Sequence, residues 1–288
     1  MLQLRAAGLT VSVLDPARDS ARFGSRYCAG GYVWQVEDER VGPLCSGPCF
    51  PDREPPVFDG QGLPEVFEIA LGQDRAQLGE DVFVIGVGRV RRESPVAPFH
   101  VRDNPRVTER SSWVVSATDS EVLSRSSGRF EGFAFELVRT VRLNGRTLES
   151  STELWNTGER ALPVRWFAHP FFPWPEGDCC RLSLEHALLA DAPLVVNGRG
   201  FLERRSGTDW QSGHYLVPRV ALGGELRIEQ RHPKLTGIEV ECGFPLGWLA
   251  LWGNVRTFSV EPFLQTLIAP NASYAWGISY RFGEPVAG

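Results

Sequence analysis

Apolar and polar residues alternate with a period of two along much of this 288-residue chain. The last such segment places five apolar side chains on one face, namely Tyr274, Trp276, Ile278, Tyr280 and Phe282. Because successive side chains of a β-strand point to opposite faces of a sheet, this pattern predicts antiparallel strands with one buried face. Windows with the period of an amphipathic helix are almost absent from the sequence.

Two turn signals separate predicted strands. Asn144-Gly145 lies between residues 133–143 and 146–155 and predicts a hairpin with a type I′ turn, since both residues tolerate positive φ. Gly223-Gly224 divides residues 216–222 from 225–230 in the same way. Further segments rich in strand-forming residues are 9–14, 27–36, 82–87, 111–116, 164–167, 238–242, 248–252 and 258–261.

These segments predict one all-β domain over residues 1–288. The 30 glycines and 21 prolines are spread along the chain, and no repeat or linker marks a domain boundary. Two large packed antiparallel sheets would accommodate so many strands. The proline-rich stretch 43–64 is expected to be a long surface loop, in a position to border a binding site.

Charge and hydropathy exclude several classes of partner. The 30 basic and 35 acidic residues give a net charge of −5, which disfavours nucleic acid and anionic membranes as partners. No apolar run approaches the ~20 residues of a transmembrane helix, and the first 14 residues are too polar for a signal peptide. We therefore expect a cytoplasmic protein, either a monomer or a homodimer.

Six cysteines raise the question of a metal site. Cys45 and Cys49 are four residues apart and Cys179 is followed directly by Cys180, but neither pair has a second Cys or His pair at ligand spacing. Reduced, unliganded thiols of a cytosolic protein are the favoured interpretation. We expect no metal and no cofactor, because the dinucleotide-binding, phosphate-loop and nucleophile-elbow motifs are also missing.

Two residues are candidates for acid–base chemistry. His169 follows the predicted strand 164–167 and precedes a loop rich in proline and aromatic residues, so its imidazole is either a proton-transfer group or a rim histidine bonded to a backbone carbonyl. Glu261 ends a β-rich run just before Pro262, and we expect it at the end of a strand. It is either a desolvated base or an ordinary solvated carboxylate.

Other candidates are weaker. Of nine tryptophans, most are expected to pack in the core, and Trp174 is the one favoured for contact with a ligand. His186, His214 and His232 are interpreted as surface residues. The cluster Arg89-Val90-Arg91-Arg92 suits a solvated strand end, although a phosphate-bearing substrate stays open as an alternative.

Together, several motifs resemble the aldose 1-epimerases (galactose mutarotases). The motifs are Trp155-Asn156-Thr157-Gly158, Ala168-His169-Pro170-Phe171-Phe172, Ser259-Val260-Glu261-Pro262 and an opening Arg26-Tyr27-Cys28-Ala29-Gly30-Gly31-Tyr32. The resemblance extends over nearly the whole chain and implies a large antiparallel β-supersandwich. Two family motifs are not reproduced. His100 has no adjacent glycine pair of the family's His-Gly-Gly, and residues 88–92 only loosely match the Gly-Arg-x-x-Asn-Arg segment.

The resemblance also implies an activity. Carried over to this chain, Glu261 would remove the proton of the anomeric hydroxyl while His169 protonates the ring oxygen, which opens the ring of a hexose or related sugar. His100, Arg89, Arg92 and Trp174 are the expected substrate-binding residues. Two alternatives stay open: epimerisation of a hexose 6-phosphate held by Arg89 or Arg92, and a carbohydrate-binding protein without turnover.

Overall fold

A computed structural model describes residues 1–286 of the chain; the last two residues of the predicted domain, 287 and 288, lie outside the described part. The strands are β1 (Leu2–Ala6), β2 (Leu9–Val13), β3 (Val33–Asp38), β4 (Gly42–Pro43), β5 (Glu65–Phe67), β6 (Ala70–Leu71), β7 (Asp81–Val84), β8 (Gly88–Arg91), β9 (Val107–Arg110), β10 (Val114–Ala117), β11 (Glu121–Phe130), β12 (Phe133–Asn144), β13 (Thr147–Asn156), β14 (Leu162–Ala168), β15 (Phe172–Pro173), β16 (Cys180–Leu182), β17 (His186–Ala187), β18 (Leu194–Val196), β19 (Leu202–Arg204), β20 (His214–Leu216), β21 (Arg219–Val220), β22 (Glu225–Gln230), β23 (Ile238–Pro245), β24 (Trp248–Gly253), β25 (Thr257–Ile268) and β26 (Ser273–Phe282).

The predicted all-β class is confirmed. A ten-stranded antiparallel sheet has the order β10-β11-β12-β13-β26-β23-β22-β16-β19-β18, and a second large sheet has the order β20-β24-β25-β14-β5, with β15 also paired to β25. Two four-stranded sheets, β1-β2-β3-β4 and β6-β7-β8-β9, and the pair β17-β21 complete the architecture. Among residues 1–286 helical structure is limited to the three-residue 3-10 turn Ser20–Arg22, so none of them forms a helix long and apolar enough to cross a membrane.

The two predicted turns have different outcomes. The hairpin β12–β13 forms as predicted, but its closing pair is Asn144 with Thr147, so Gly145 is the first central residue of the turn. Gly145 has φ 56° and Arg146 is not among the residues with positive φ, which is the pattern of a type II′ turn rather than the predicted type I′. The second predicted hairpin is wrong, since Pro218 interrupts residues 216–222, and β22 pairs with β23 and β16 instead.

The hydrophobic core lies between the two large sheets. Trp166 of β14, Leu249 of β24 and Trp276 of β26 belong to one buried cluster, in which the rings of Trp166 and Trp276 pack edge to face at 5.8 Å between centroids. This layer also buries an ion pair between Arg139 and Glu65, with a shortest N–O distance of 2.6 Å. The indole N–H of Trp166 donates to the same Glu65 carboxylate over 3.0 Å.

Candidate active site

A pocket of about 410 Å³ opens beside the β5-β14-β25-β24-β20 sheet. Its polar lining consists of Arg26, Asp59, Glu68, His100, Arg102, His169 and Glu261. Its apolar lining is mostly aromatic and consists of Pro48, Phe58, Phe167, Phe171, Tyr215, Trp252 and Phe263. Pro48, Phe58 and Asp59 come from the predicted loop 43–64, which therefore borders the pocket as expected, although several of its residues are buried. Volume and lining are those of a small-molecule site.

His169 reaches this pocket at the point where β14 ends. Ala168 is the last residue of β14 and pairs with Glu65 of β5, and the His169 backbone N–H then donates to Pro64 O over 2.9 Å. The imidazole packs against the ring of Phe171 at 4.4 Å between centroids. Backbone and ring are thus both held, so the orientation of the imidazole is fixed by the surrounding structure.

Glu261 lies in the middle of a strand, and the sequence-based expectation of a strand end is wrong. β25 continues through Pro262 to Ile268, and Glu261 pairs with Ala250 of β24. On its other edge, β25 pairs with β15 at residues 257–258 and with β14 at residues 263–268, so residues 259–262 have no strand neighbour there. A proline is tolerated in such a gap because no ladder hydrogen bond is required on that edge.

The side chain of His169 contacts two residues of this unpaired stretch of β25. Its Nε2 lies 3.3 Å from Oε1 of Glu261, and its Nδ1 lies 3.1 Å from Oγ of Ser259. His169 and Glu261 are 2% and 3% exposed, respectively. Oε1 of Glu261 has no well-aligned hydrogen-bond partner among residues 1–286, which leaves this buried oxygen available to a ligand. The structure therefore brings together the two residues that the sequence singled out for acid–base chemistry.

Burial shifts both pKa values toward the neutral forms. Desolvation raises the pKa of Glu261 to about 8, with Arg26 and the Ser259 hydroxyl acting in the opposite direction and Glu68 adding to the rise. Desolvation also lowers the pKa of His169 well below its usual 6.5, and the positive charge of Arg26 lowers it further. At neutral pH the pair thus holds one proton, which resides mainly on Glu261.

Two arginines in the pocket were not identified from the sequence as site residues. Neither Arg26 nor Arg102 forms a salt bridge with a carboxylate among residues 1–286. The Arg26 guanidinium lies 4.9 Å from the ring centroids of both Tyr27 and Phe58. The Arg-aromatic pair at residues 26–27 belongs to the quoted family resemblance and was the available signal for Arg26; Arg102 has no such signal.

Of the four expected substrate-binding residues, only His100 lines the pocket. It is exposed at the rim, where its Nδ1 accepts a hydrogen bond of 3.1 Å from the backbone N–H of Arg102. Partial burial lowers the pKa of His100, so the imidazole is neutral at pH 7. Because Nδ1 accepts from Arg102, the hydrogen is on Nε2, which can donate to a ligand.

Arg89, Arg92 and Trp174, the other three residues expected to bind substrate, do not line this pocket, and their side chains have other partners. Arg89 is paired with Glu109 at 3.0 Å on its neighbouring strand. Arg92 donates to the backbone carbonyls of residues 73 and 76. Trp174 donates its indole N–H to the backbone carbonyl of residue 254 over 2.6 Å and packs under a guanidinium group.

His232 and the six cysteines are buried. His232 was expected at the surface but is 6% exposed, with Nε2 lying 2.9 Å from the backbone oxygen of Leu44. All six cysteines are buried and free. In the part of the chain that is described, no three His, Cys, Asp or Glu side chains converge as a metal site would require.

Comparison with solved structures identifies the fold. A galactose mutarotase-related enzyme from Lactobacillus acidophilus aligns with a TM-score of 0.63 at 13% identity, over 100% of this chain and 99% of its own. The Slr1438 protein from Synechocystis sp. PCC 6803 aligns with a TM-score of 0.58 at 18% identity, over 98% of this chain and 95% of its own. A proposed aldose 1-epimerase from Escherichia coli K12 aligns with a TM-score of 0.57 at 14% identity, over 98% of each chain.

These likenesses show that the chain has a galactose mutarotase-like fold, as the resemblance of its motifs implied. No protein-family model matches the sequence, and no curated protein matches it. Because one fold supports many functions, an activity has to be inferred from the residues of the site.

Proposed function

We propose that the chain is an aldose 1-epimerase-like isomerase that interconverts the α and β anomers of a sugar. The observation that carries the proposal is the contact of 3.3 Å between Nε2 of His169 and Oε1 of Glu261 inside a pocket of sugar size. Anomerisation requires one group that gives a proton and one that takes a proton, and a pair that holds one proton supplies both. A histidine that merely packed in the core would not face an unpartnered carboxylate oxygen.

The short separation of the two groups suits this chemistry. The anomeric hydroxyl and the ring oxygen of a cyclic sugar are bonded to the same carbon, so they are closer together than the length of a hydrogen bond. Two catalytic atoms in direct contact can each reach one of these oxygens. A separation as wide as a sugar ring is not needed for this reaction.

The proposed steps balance with one proton. Glu261 in its ionised form removes the proton of the anomeric hydroxyl, His169 in its protonated form gives the proton at Nε2 to the ring oxygen, and the bond between the anomeric carbon and the ring oxygen breaks. Rotation of the resulting aldehyde exposes its other face, and closure returns both protons by the reverse steps. The active form arises from the neutral pair when the Glu261 proton moves to His169 across their contact.

The rest of the pocket is suited to holding the sugar. Trp252 offers aromatic surface to the C–H faces of a sugar ring, while Glu68, His100 and Arg102 offer partners for hydroxyl groups. A sugar phosphate is the second candidate substrate, because Arg26 and Arg102 are free of carboxylate partners among residues 1–286 and guanidinium groups favour anions. In this proposal Arg26 and Arg102 bind the phosphate group, which was the role expected from the sequence for Arg89 or Arg92.

We further propose that residues 1–288 act as one domain and that the protein works in the cytoplasm. Buried apolar residues from both large sheets form one continuous cluster, which supports a single folding unit. Six free thiols suit a reducing compartment.

Two-dimensional exchange NMR tests the proposed activity directly. Free hexoses, pentoses and hexose 6-phosphates are recorded with and without catalytic amounts of the protein, and we expect faster exchange between α and β signals for at least one of them. Line broadening without faster exchange would instead indicate a carbohydrate-binding protein without turnover. No effect on any sugar of the panel would refute both functions for these sugars.

A further inference from the structure

The loop of residues 92–106 connects β8 to β9 and contributes two residues to the lining of the pocket. These residues, His100 and Arg102, are exposed, whereas His169 and Glu261 in the same pocket are 2% and 3% exposed. A sugar whose anomeric carbon contacts the buried pair therefore directs its more distant hydroxyl groups toward the exposed loop. The conformation of the loop decides whether those groups find a hydrogen-bond partner.

Asn104 and Phe99 are the only buried residues of this loop, with exposures of 0% and 8%, respectively. The ring of Phe99 belongs to a small hydrophobic cluster of the β6-β7-β8-β9 sheet that includes Val82 and Val90. The loop is thus packed on a different sheet from the one that carries the acid–base pair. Because burial of a polar side chain requires hydrogen-bond partners, the contacts of Asn104 show what it holds in place.

The side-chain amide of Asn104 joins the start of the loop to its later part. Its Oδ1 accepts hydrogen bonds from the backbone N–H groups of Glu93 over 2.7 Å and Ser94 over 2.9 Å. Its Nδ2 donates to the backbone oxygen of His100 over 2.8 Å. Two N–H donors require an acceptor and a carbonyl oxygen requires a donor, so the partners identify the oxygen and the nitrogen of this amide.

The turn after His100 is held together by hydrogen bonds of its own. The backbone N–H of Arg102 donates to Nδ1 of His100 over 3.1 Å, and that of Asp103 donates to the His100 carbonyl over 3.2 Å. Both bonds lie within the turn and fix only its internal shape. The Asn104 amide, which shares the His100 carbonyl with Asp103, is the contact that attaches this turn to residues 93 and 94.

One further side chain reaches the turn from outside the loop. The hydroxyl of Ser25 donates to the backbone oxygen of Val101 over 3.2 Å. This is a single hydrogen bond, whereas Asn104 makes three with its side chain. We therefore expect Asn104 to contribute more than Ser25 to the placement of the turn.

We propose that Asn104 is a positioning residue that holds the loop 92–106 in the conformation in which His100 and Arg102 face the pocket, so that sugar binding depends on Asn104 and proton transfer does not. The inference rests on the proposed epimerase function for its kinetic consequence. The conformation of the loop is a property of the protein without substrate and can be tested separately.

The division between two sheets gives the proposal a kinetic signature. His169 and Glu261 lie on strands β14 and β25 or directly beside them, and the three bonds of Asn104 do not involve these strands. A sugar that binds to a loosened loop still meets an intact acid–base pair. Loss of the Asn104 amide should therefore raise KM and leave kcat unchanged, which is the mark of a lost binding contact.

The substrate-free test is an NMR titration of the His100 imidazole, whose signal is identified by its loss in His100→Gln. Partial burial lowers the pKa of His100 in the wild type. In Asn104→Ala we expect this pKa to rise toward the ordinary 6.5, because the released turn exposes the imidazole to water. An unchanged His100 titration in Asn104→Ala would overturn the proposal.

The matched control is Asn156→Ala. Asn156 is 1% exposed, and its side chain likewise makes three hydrogen bonds to the backbone, with Gly158, Arg160 and Ile268. None of these residues lines the pocket. The control should lose about as much stability as Asn104→Ala but keep the wild-type His100 titration and KM.

Anomer exchange provides the kinetic readout. We expect Asn104→Ala to raise KM about tenfold with kcat within about twofold of the wild type. Added to the double variant His100→Ala/Arg102→Ala, the same change should raise KM by no more than about twofold, because the residues through which it acts are already absent. An equal rise of KM in Asn156→Ala, or a full tenfold rise on top of the double variant, would overturn the proposal.

Two further arms keep the test decisive. If Asn104→Ala does not fold, Asn104→Asp replaces it in the kinetic measurement, since Asp retains an acceptor for the two N–H groups and loses the donor to His100. A wild-type KM in Asn104→Asp would then overturn the proposal. If no sugar is epimerised, the proposed function fails, and the titration of His100 still decides whether Asn104 holds the loop.

Discussion

Glu65 and Arg139 form a buried ion pair directly behind the candidate catalytic histidine. Their shortest N–O distance is 2.6 Å, with side-chain exposures of 5% and 1%. Glu65 is also the residue of β5 that pairs with Ala168, the residue before His169. The carboxylate oxygens accept further hydrogen bonds from Ser150 and Trp166, so the charge of Glu65 is well compensated. The ion pair thus secures the strand end that positions His169.

Removing one partner of the buried Glu65–Arg139 ion pair should destabilise the folded protein more than the loss of the partner's hydrogen bonds alone would. In Glu65→Gln the Arg139 charge stays buried without a counter-charge, and we expect a loss of about 3–5 kcal/mol in the free energy of unfolding, measured by urea denaturation. The control is Glu229→Gln, which removes the charge of a carboxylate paired with Arg181 and Arg231 at the surface, with an expected loss below about 1 kcal/mol. Equal losses in the two variants would contradict the proposed role of burial.

Replacement of either catalytic candidate should abolish catalysis with little loss of binding. We expect His169→Gln and Glu261→Gln each to reduce kcat for anomer exchange by about 10²–10⁴-fold, since each loses one half of the acid–base pair. Exchange NMR measures turnover, and saturation-transfer NMR with the same sugar measures binding. Arg89→Ala serves as the control with normal activity, because Arg89 is paired with Glu109 outside the pocket. Full activity in both pair variants would refute the site assignment.

Local patterns were sufficient to predict the fold class and to single out two side chains, His169 and Glu261, that the structure places in contact. Alternation over residues 274–282 matches β26, and the motifs around His169 and Glu261 carry the family resemblance. Strand limits were harder to predict where the partner strand decides them. Residues 27–36 look like one strand, but β3 begins only at Val33, after Gly31 with φ 73°. The local signal at Pro262 suggested a strand end because the missing neighbour on one edge of β25 is a long-range property.

Which arginines line the pocket could not be predicted from the sequence for the same reason. Arg89 and Arg92 carry the same charge as Arg26 and Arg102, and only the three-dimensional arrangement shows which pair faces the pocket. An isolated sequence does not reveal that Glu109 is the cross-strand neighbour of Arg89. Trp174 does not line the pocket, and a single sequence does not show whether a loop indole points toward the core or toward a ligand.

Arg26 should affect both substrate affinity and the titration of the catalytic pair. In Arg26→Ala we expect KM to rise about 10–100-fold through loss of a charge-assisted hydrogen bond. Because the Arg26 charge lowers the pKa of Glu261, the alkaline limb of the pH profile should also move to higher pH in this variant. Arg92→Ala is the control, since Arg92 bonds only to backbone carbonyls outside the pocket. A rise in KM in the control and not in Arg26→Ala would restore the original expectation.

Burial of Glu261 should reduce the stability of the folded protein at alkaline pH. The pKa of Glu261 is about 8 in the folded state against an ordinary value of 4.5, so between these values the folded state binds one proton more than the unfolded state. The protonated Glu261 therefore contributes to stability in full below its ordinary pKa of 4.5, and this contribution is lost as the pH rises through its folded-state pKa of about 8.

The variant Glu261→Gln has no carboxyl group that titrates at this position. Its free energy of unfolding relative to that of the wild type should therefore rise from pH 6 to pH 9. We expect the difference in unfolding free energy to increase by a few kcal/mol, in urea denaturation at the two pH values. His169 has a lowered pKa and reduces stability only when the pH falls below about 6.5, so it does not obscure the alkaline change. A difference that is constant with pH would show that Glu261 is ionised in the folded protein.

The raised pKa of Glu261 and the lowered pKa of His169 also set the pH range of the proposed activity. The pair is competent only while it holds one proton, and it loses that proton near pH 8, where Glu261 titrates. A second proton is added only well below pH 6.5, because burial and Arg26 disfavour the imidazolium. We therefore expect kcat/KM for anomer exchange to be flat around neutral pH and to decrease about tenfold per pH unit above about 8.

An unperturbed glutamate and histidine would behave differently, since they hold one proton only between their ordinary values of 4.5 and 6.5. Such a pair would already lose activity at pH 7. The position of the alkaline limb therefore distinguishes a desolvated pair from a solvated one. It is measured with initial rates of exchange from pH 5 to pH 10 at constant ionic strength, with the spontaneous mutarotation rate subtracted at each pH. A decline of kcat/KM that begins near pH 6.5 would mean that water reaches the contact between His169 and Glu261. Burial would then not shift the pKa values of the pair.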